Sequence, residues 1–171
     1  CSAPPISHIK TNYMRADSSF PGAVLLAGLI TGTLDILFAF VYFSIASHGQ
    51  PVSRILVYIS SGVFGKAAFN AGPVMIWWGL LFHYLIALIW SFVFFLIYPK
   101  LPAIRQHPVA TGIVYGLLVW CVMNLVVLPL SLVPHGPLRL VNSVINIAIL
   151  MVMIGIPLAL MARKYYTGKV R

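Results

Sequence analysis

GAVLLAGLITGTLDILFAFVYFSIA, residues 22–46, carries one charged side chain, Asp35, close to its middle, and is apolar around its whole circumference. A helix on the surface of a soluble protein keeps a polar stripe. A stripeless segment that rises 1.5 Å per residue and is long enough for about 30 Å of hydrocarbon reads as a membrane span. Three further stretches share these properties, at about 74–98, 109–132 and 138–162. None alternates at the two-residue period of a transmembrane barrel strand.

Composition agrees with that reading. Of 171 residues, 61% are hydrophobic and 8% charged, where soluble domains carry roughly 25% charged residues. Eleven Lys and Arg against two acids give a net charge of +9. In a soluble chain such a balance suggests nucleic acid. Here the bases flank apolar runs, where anionic lipid headgroups and topology selection place them, so the expected partner is the lipid bilayer and no nucleic acid.

The predicted fold is all-α: a four-transmembrane-helix up-down bundle forming a single domain over 22–162. A polar N-terminal tail, 1–21, precedes it and a basic C-terminal tail, 163–171, follows it. Lys10, Arg15, Lys100, Arg105, Arg163, Lys164, Lys169 and Arg171 fall on one side of this topology, and Arg54, Lys66 and Arg139 on the other. The richer side is cytoplasmic by the positive-inside rule, so both termini are expected inside. Phe20, Tyr42, Phe43, Trp77, Trp78, Tyr98, Tyr165 and Tyr166 stand near span ends and read as interface anchors. Connections 98–108, YPKLPAIRQHP, and 133–138, VPHGPL, are short, which makes neighbouring helices antiparallel.

The first external loop is long and apolar, with PVSRILVYISSGVFGKAAF at 51–69. Val52, Ile55, Leu56, Ile59 and Val63 recur at helical spacing, while Arg54, Ser60 and Ser61 fall mostly elsewhere on the wheel. That pattern predicts an interfacial helix. The alternative is a re-entrant segment, which Ser60, Ser61, Gly62 and Gly65 allow if protein covers the backbone.

Placed by depth, the intramembrane polar residues fall together. Asp35, His83, Asn124 and Asn146 lie within ~6 Å of one another along the membrane normal, one from each span. A mid-membrane carboxylate costs at least ~2.5–3.5 kcal/mol on insertion scales, so Asp35 must be paired, protonated or facing a wet cavity. His83 is its expected partner, since no Lys or Arg shares that depth. The layer reads either as interhelical hydrogen-bond glue or as a proton-sharing or solute-coordinating site. Gly28, Gly32, Gly79, Gly112 and Gly116 mark close helix approach near the same positions. Pro129 and Pro157 should disturb hydrogen bonding to the carbonyls four residues earlier.

Much chemistry is missing. No HExxH, CxxC, GxSxG or P-loop spacing occurs, so metalloprotease, redox, hydrolase and nucleotide-binding readings fail, and no cofactor or metal is expected. His8, His48, His107 and His135 lie in the tail or loops. Cys121 reads as an inert thiol within a span. A chain starting at Cys1 reads as processed, trimmed or incomplete, with a lipid-modified cysteine as a further reading. Residues 1–20 are too polar for a signal-peptide core.

GLITGTLD (28–35), SSGVFGKAAF (60–69), LLFHYLIALIW (80–90) and HPVATGIVYGLLVWCVMNLVVLPLS (107–131) follow one another in an order that resembles a set of uncharacterised bacterial inner-membrane proteins of YagU-like layout. The resemblance implies a small multi-pass protein of the bacterial cytoplasmic membrane and brings no activity or functional residues with it. The leading expectation is a non-enzymatic structural or accessory subunit, in a homo-oligomer or larger membrane complex. The competing one is a small transporter or channel with a proton-linked or cation site at Asp35 and His83.

Overall fold

The computed structural model describes residues 19–47, 49–100, 106–134 and 140–168. Among these residues the secondary structure is helical and no strand occurs. Helix α1 runs Phe20–Ala46. It starts where Ser19 accepts the Gly22 N–H at 3.3 Å, with Pro21 in the first turn, where its missing N–H costs nothing. Helix α2, Ser53–Phe64, stops at Gly65, whose φ of +60° suits a residue without a β-carbon, and a 3-10 turn follows over Gly65–Phe69. Helix α3, Val74–Ile97, ends in the 3-10 turn Tyr98–Lys100. Helices α4, Pro108–Leu130, and α5, Leu140–Gly168, complete the chain. α1, α3, α4 and α5 are long and apolar enough to cross a membrane, which makes this a multi-pass membrane protein.

α4 and α5 each contain a π-helical turn, Met123–Val127 and Leu150–Gly155. The cause is legible in the sequence. Pro129 and Pro157 lack an N–H, and their rings crowd the carbonyls four residues back, so the helix inserts an extra residue just ahead of each proline. The Leu128 and Ile156 N–H groups then reach back five residues, to the Met123 and Met151 carbonyls.

Glycines set the closest contacts. A β-carbon at Gly112 would lie 2.6 Å from the Gly155 carbonyl oxygen, and one at Gly116 would lie 2.5 Å from the Met151 Cα, so α4 and α5 touch backbone to backbone. Gly28 and Gly32 seat α3, the first against Leu88 and the second against Ala87 and Tyr84. Gly79 differs in kind: it accommodates the Leu56 carbonyl of α2 rather than another span. Without Gly79, α2 and α3 would collide.

The densest core lies toward one end. Ala23 and Ala27 of α1, Phe94, Phe95 and Tyr98 of α3, and Leu158, Ala159 and Ala162 of α5 meet there. Phe94 and Tyr115 pack edge to face with centroids 4.6 Å apart, and Tyr98 stacks on Tyr166 at 5.5 Å. Tyr115 donates to the Trp90 carbonyl at 2.6 Å and Tyr166 to the Phe95 carbonyl at 2.7 Å.

Three expectations change here. Tyr98 is buried, and Phe20, Tyr165 and Tyr166 pack against the same core, so these four rings are an aromatic plug between helices rather than lipid-interface anchors. Trp77 and Trp78 remain exposed, as anchors are. Secondly, α5 continues to Gly168, because Tyr165 and Tyr166 have this plug to bury into, so the expected tail from 163 is helical as far as 168. Thirdly, of the amphipathic face expected for 51–69, Leu56 is buried and Arg54 exposed as expected, whereas Ser60 and Ser61 are fully buried and Val63 is 56% exposed. Both hydroxyls donate to backbone carbonyls one turn back, Val57 at 2.8 Å and Tyr58 at 2.7 Å, which removes the cost of burying them. Cys1, Lys10, Arg15, His48, Arg105, His135, Arg139, Lys169 and Arg171 lie outside the described residues.

Candidate functional site

Away from the aromatic plug the helices separate around a cavity of about 270 Å³. All five helices contribute to its wall. α1 gives Asp35, α3 gives His83, Ile86 and Trp90, and α2 gives Tyr58 and Ile59. Both π turns border it, through Met123 and Val127 on one side and Leu150 and Ile154 on the other. Wide turns of this kind recur at functional sites because they move side chains off the regular helical faces.

His83 is held by a single well-defined bond. Its Nε2 lies 2.8 Å from the Gly32 carbonyl oxygen on α1. A carbonyl only accepts, so Nε2 carries the hydrogen and donates it. That fixes the tautomer of the neutral ring and leaves Nδ1 as the nitrogen able to take or give up a proton. At the next residue of each helix, Tyr84 and Thr33 tie α3 to α1 again, hydroxyl to hydroxyl at 2.9 Å. The Tyr84 ring meets the His83 ring edge to face, with centroids 5.4 Å apart.

Asp35 is the only acid among the described residues. Its carboxylate interacts electrostatically with His83, but no ion pair joins them directly, and both side chains line the cavity. The expected pair is therefore together, on opposite helices, with space beside it.

The other two members of the expected layer are elsewhere. Asn124 lies in the first π turn, donates to the Trp120 carbonyl of its own helix at 3.0 Å, and is absent from the cavity wall. Asn146 is exposed on the outer face of α5. Equal depth did not mean a common face, because the extra residue in each π turn rotates one half of α4 and of α5 relative to an ideal helix. The layer of four is a pair. Cys121 is a free thiol, half-buried in α4.

Several cavity residues were not singled out from the sequence. Tyr58 reaches the wall, beside Ile59 of the apolar face already noted, because α2 packs beside α3. Ser131 and Val133 reach it because the segment after α4 folds back onto α2, where the Leu132 N–H donates to the Gly62 carbonyl at 3.1 Å. Ser131 caps this corner, donating to the Leu128 carbonyl at 2.7 Å and accepting the Val133 N–H at 3.3 Å. Gly155 was also missed. Its signal was present, as a glycine two residues before Pro157. Among the described residues no cluster of His, Cys, Asp or Glu able to hold a metal is found.

No family model matches the chain, and neither the curated proteins nor the solved structures contain a match to it.

Proposed function

We propose that this protein binds a small solute within the membrane and moves it across, with Asp35 and His83 as the groups that hold it. The observation that carries this reading is the cavity itself: an apolar, partly open pocket between the helices with one carboxylate and one imidazole in its wall. Glue between helices needs no chamber. A pair kept only for packing would be closed over by side chains, since voids forfeit dispersion contacts on every face. The reading is non-enzymatic.

The topology proposed with it is up-down, in a bacterial cytoplasmic membrane of the kind the YagU-like layout implies, with both termini cytoplasmic. Contact order supports the antiparallel arrangement: Phe20, Gly28 and Gly32 meet Phe95, Leu88 and Tyr84 in turn, and Gly112 and Gly116 meet Gly155 and Met151. For α2 the re-entrant placement is the better supported of the two. It packs on Gly79 and reaches the cavity beside His83, which lie ~8 Å and ~14 Å along α3 from Val74. It also turns serines inward and Val63 outward. A helix resting at the interface would do the opposite. An accessory or homo-oligomeric role is a second reading, favoured by the exposed Asn146 amide, a group that gains from a partner helix in lipid.

The test is proton flux in dye-loaded proteoliposomes. The parent protein is expected to dissipate an imposed pH gradient in the presence of transported solute, and Asp35→Asn to abolish this. Flux that is unchanged in Asp35→Asn would remove the transport reading.

A further inference from the structure

The chemistry of the wall narrows the solute. Resting on the solute-site reading above, we propose that the cavity takes a hydrophobic amine, its ammonium seated between Asp35 and His83 Nδ1 and its apolar body among Ile86, Leu150 and Ile154, in exchange for one proton.

Charge selects the class. Among the described residues Asp35 lines the cavity and no Lys or Arg does, so the site attracts a cation and repels carboxylates and phosphates. Trp90 and Tyr58 lie in the same wall, and aromatic faces favour an organic cation over a strongly hydrated inorganic one. An inorganic ion would also need several oxygen ligands, and the wall has few.

His83 supplies direction. With Nε2–H committed to Gly32, a neutral ring presents Nδ1 as an acceptor, which suits an ammonium N–H. Size sets the scale: a dry apolar cavity of about 150 Å³ holds benzene. The 270 Å³ here leaves room for one ring with a short amine arm.

The proton follows from charge balance. In the empty cavity a proton on Nδ1 makes His83 the cation that offsets Asp35. An arriving ammonium takes over that role and repels the imidazolium, so the Nδ1 proton leaves to water, and the site stays neutral before and after. Among the described residues the other titratable group in the wall is Tyr58, from α2. Tyr84, beside His83 on α3, has its hydroxyl tied to Thr33. α4 and α5 contribute only apolar side chains here, among them Val119, Met123, Leu150 and Ile154.

The experiment is calorimetric titration of the full chain in phosphatidylcholine nanodiscs with phenethylamine and with its neutral counterpart 2-phenylethanol. It is run near pH 6 in two buffers of different ionisation enthalpy, with empty nanodiscs subtracted. The amine is expected to bind about tenfold tighter than the alcohol or better, releasing about one proton. Asp35→Asn should erase the preference, its helical content by circular dichroism showing that the variant is folded. Equal binding of amine and alcohol, binding of the amine without proton release, or an Asp35→Asn variant that keeps the preference would each overturn the amine exchange and leave the solute cavity standing. Binding of neither probe would overturn both.

Discussion

His83 does two jobs with two nitrogens, and they separate by substitution. Nε2 joins α3 to α1 through the Gly32 carbonyl, whereas Nδ1 is the nitrogen proposed to hold the exchanged proton. His83→Leu removes both. It is expected to lower stability by about 0.6–1.7 kcal/mol, the range for interhelical hydrogen bonds in membranes, read by SDS-induced unfolding in mixed micelles. His83→Gln keeps an N–H donor at a similar reach, so it should unfold close to the parent while losing proton coupling in proteoliposomes. Equal stability of all three proteins would mean that the Gly32 bond contributes nothing to the fold. Asp35 and His83 were legible as a pair from the sequence because cost singles them out: an acid at mid-membrane requires a remedy, and only one ionisable side chain shared its depth. Asn124 and Asn146 cost less, so their depth constrained their direction less.

At the scale of elements, the spans were legible within a few residues because lipid allows no polar stripe and fixes a minimum length. The two prolines announced disturbed hydrogen bonding, and π turns stand at those places. Part of the face of α2 was misjudged, at Ser60, Ser61 and Val63, for a definite reason. A helical wheel assumes that apolar residues face the protein and polar ones face water, and this assumption reverses once lipid is the outer solvent and buried hydroxyls can bond to their own backbone, as Ser60 and Ser61 do. The placement is measurable with a nitroxide at Val63, which is exposed and points away from the bundle. A re-entrant α2 predicts collisions with apolar oxygen in preference to a water-soluble nickel reagent. The opposite preference would return α2 to the interface.

Across the whole molecule, packing is divided. One end is filled by Phe94, Phe95, Tyr98, Tyr115 and Tyr166, and the other is held open around Asp35 and His83 by two π turns and a short helix laid across the opening. The first half of that division had no sequence signal of its own, because aromatic rings near span ends serve equally well as lipid anchors or as a plug. The second half became visible only in the structure, where α2 and the segment after α4 line the same pocket as the pair. A chamber kept open in this way accounts for the mid-membrane acid if it is occupied. The most direct measurement is native mass spectrometry of the chain released from mild detergent, compared with Ile86→Trp, whose larger side chain fills the cavity. The account predicts a small molecule retained by the parent and lost from the variant, at the same oligomeric state. A parent that carries nothing, or a variant that carries the same adduct, would contradict it.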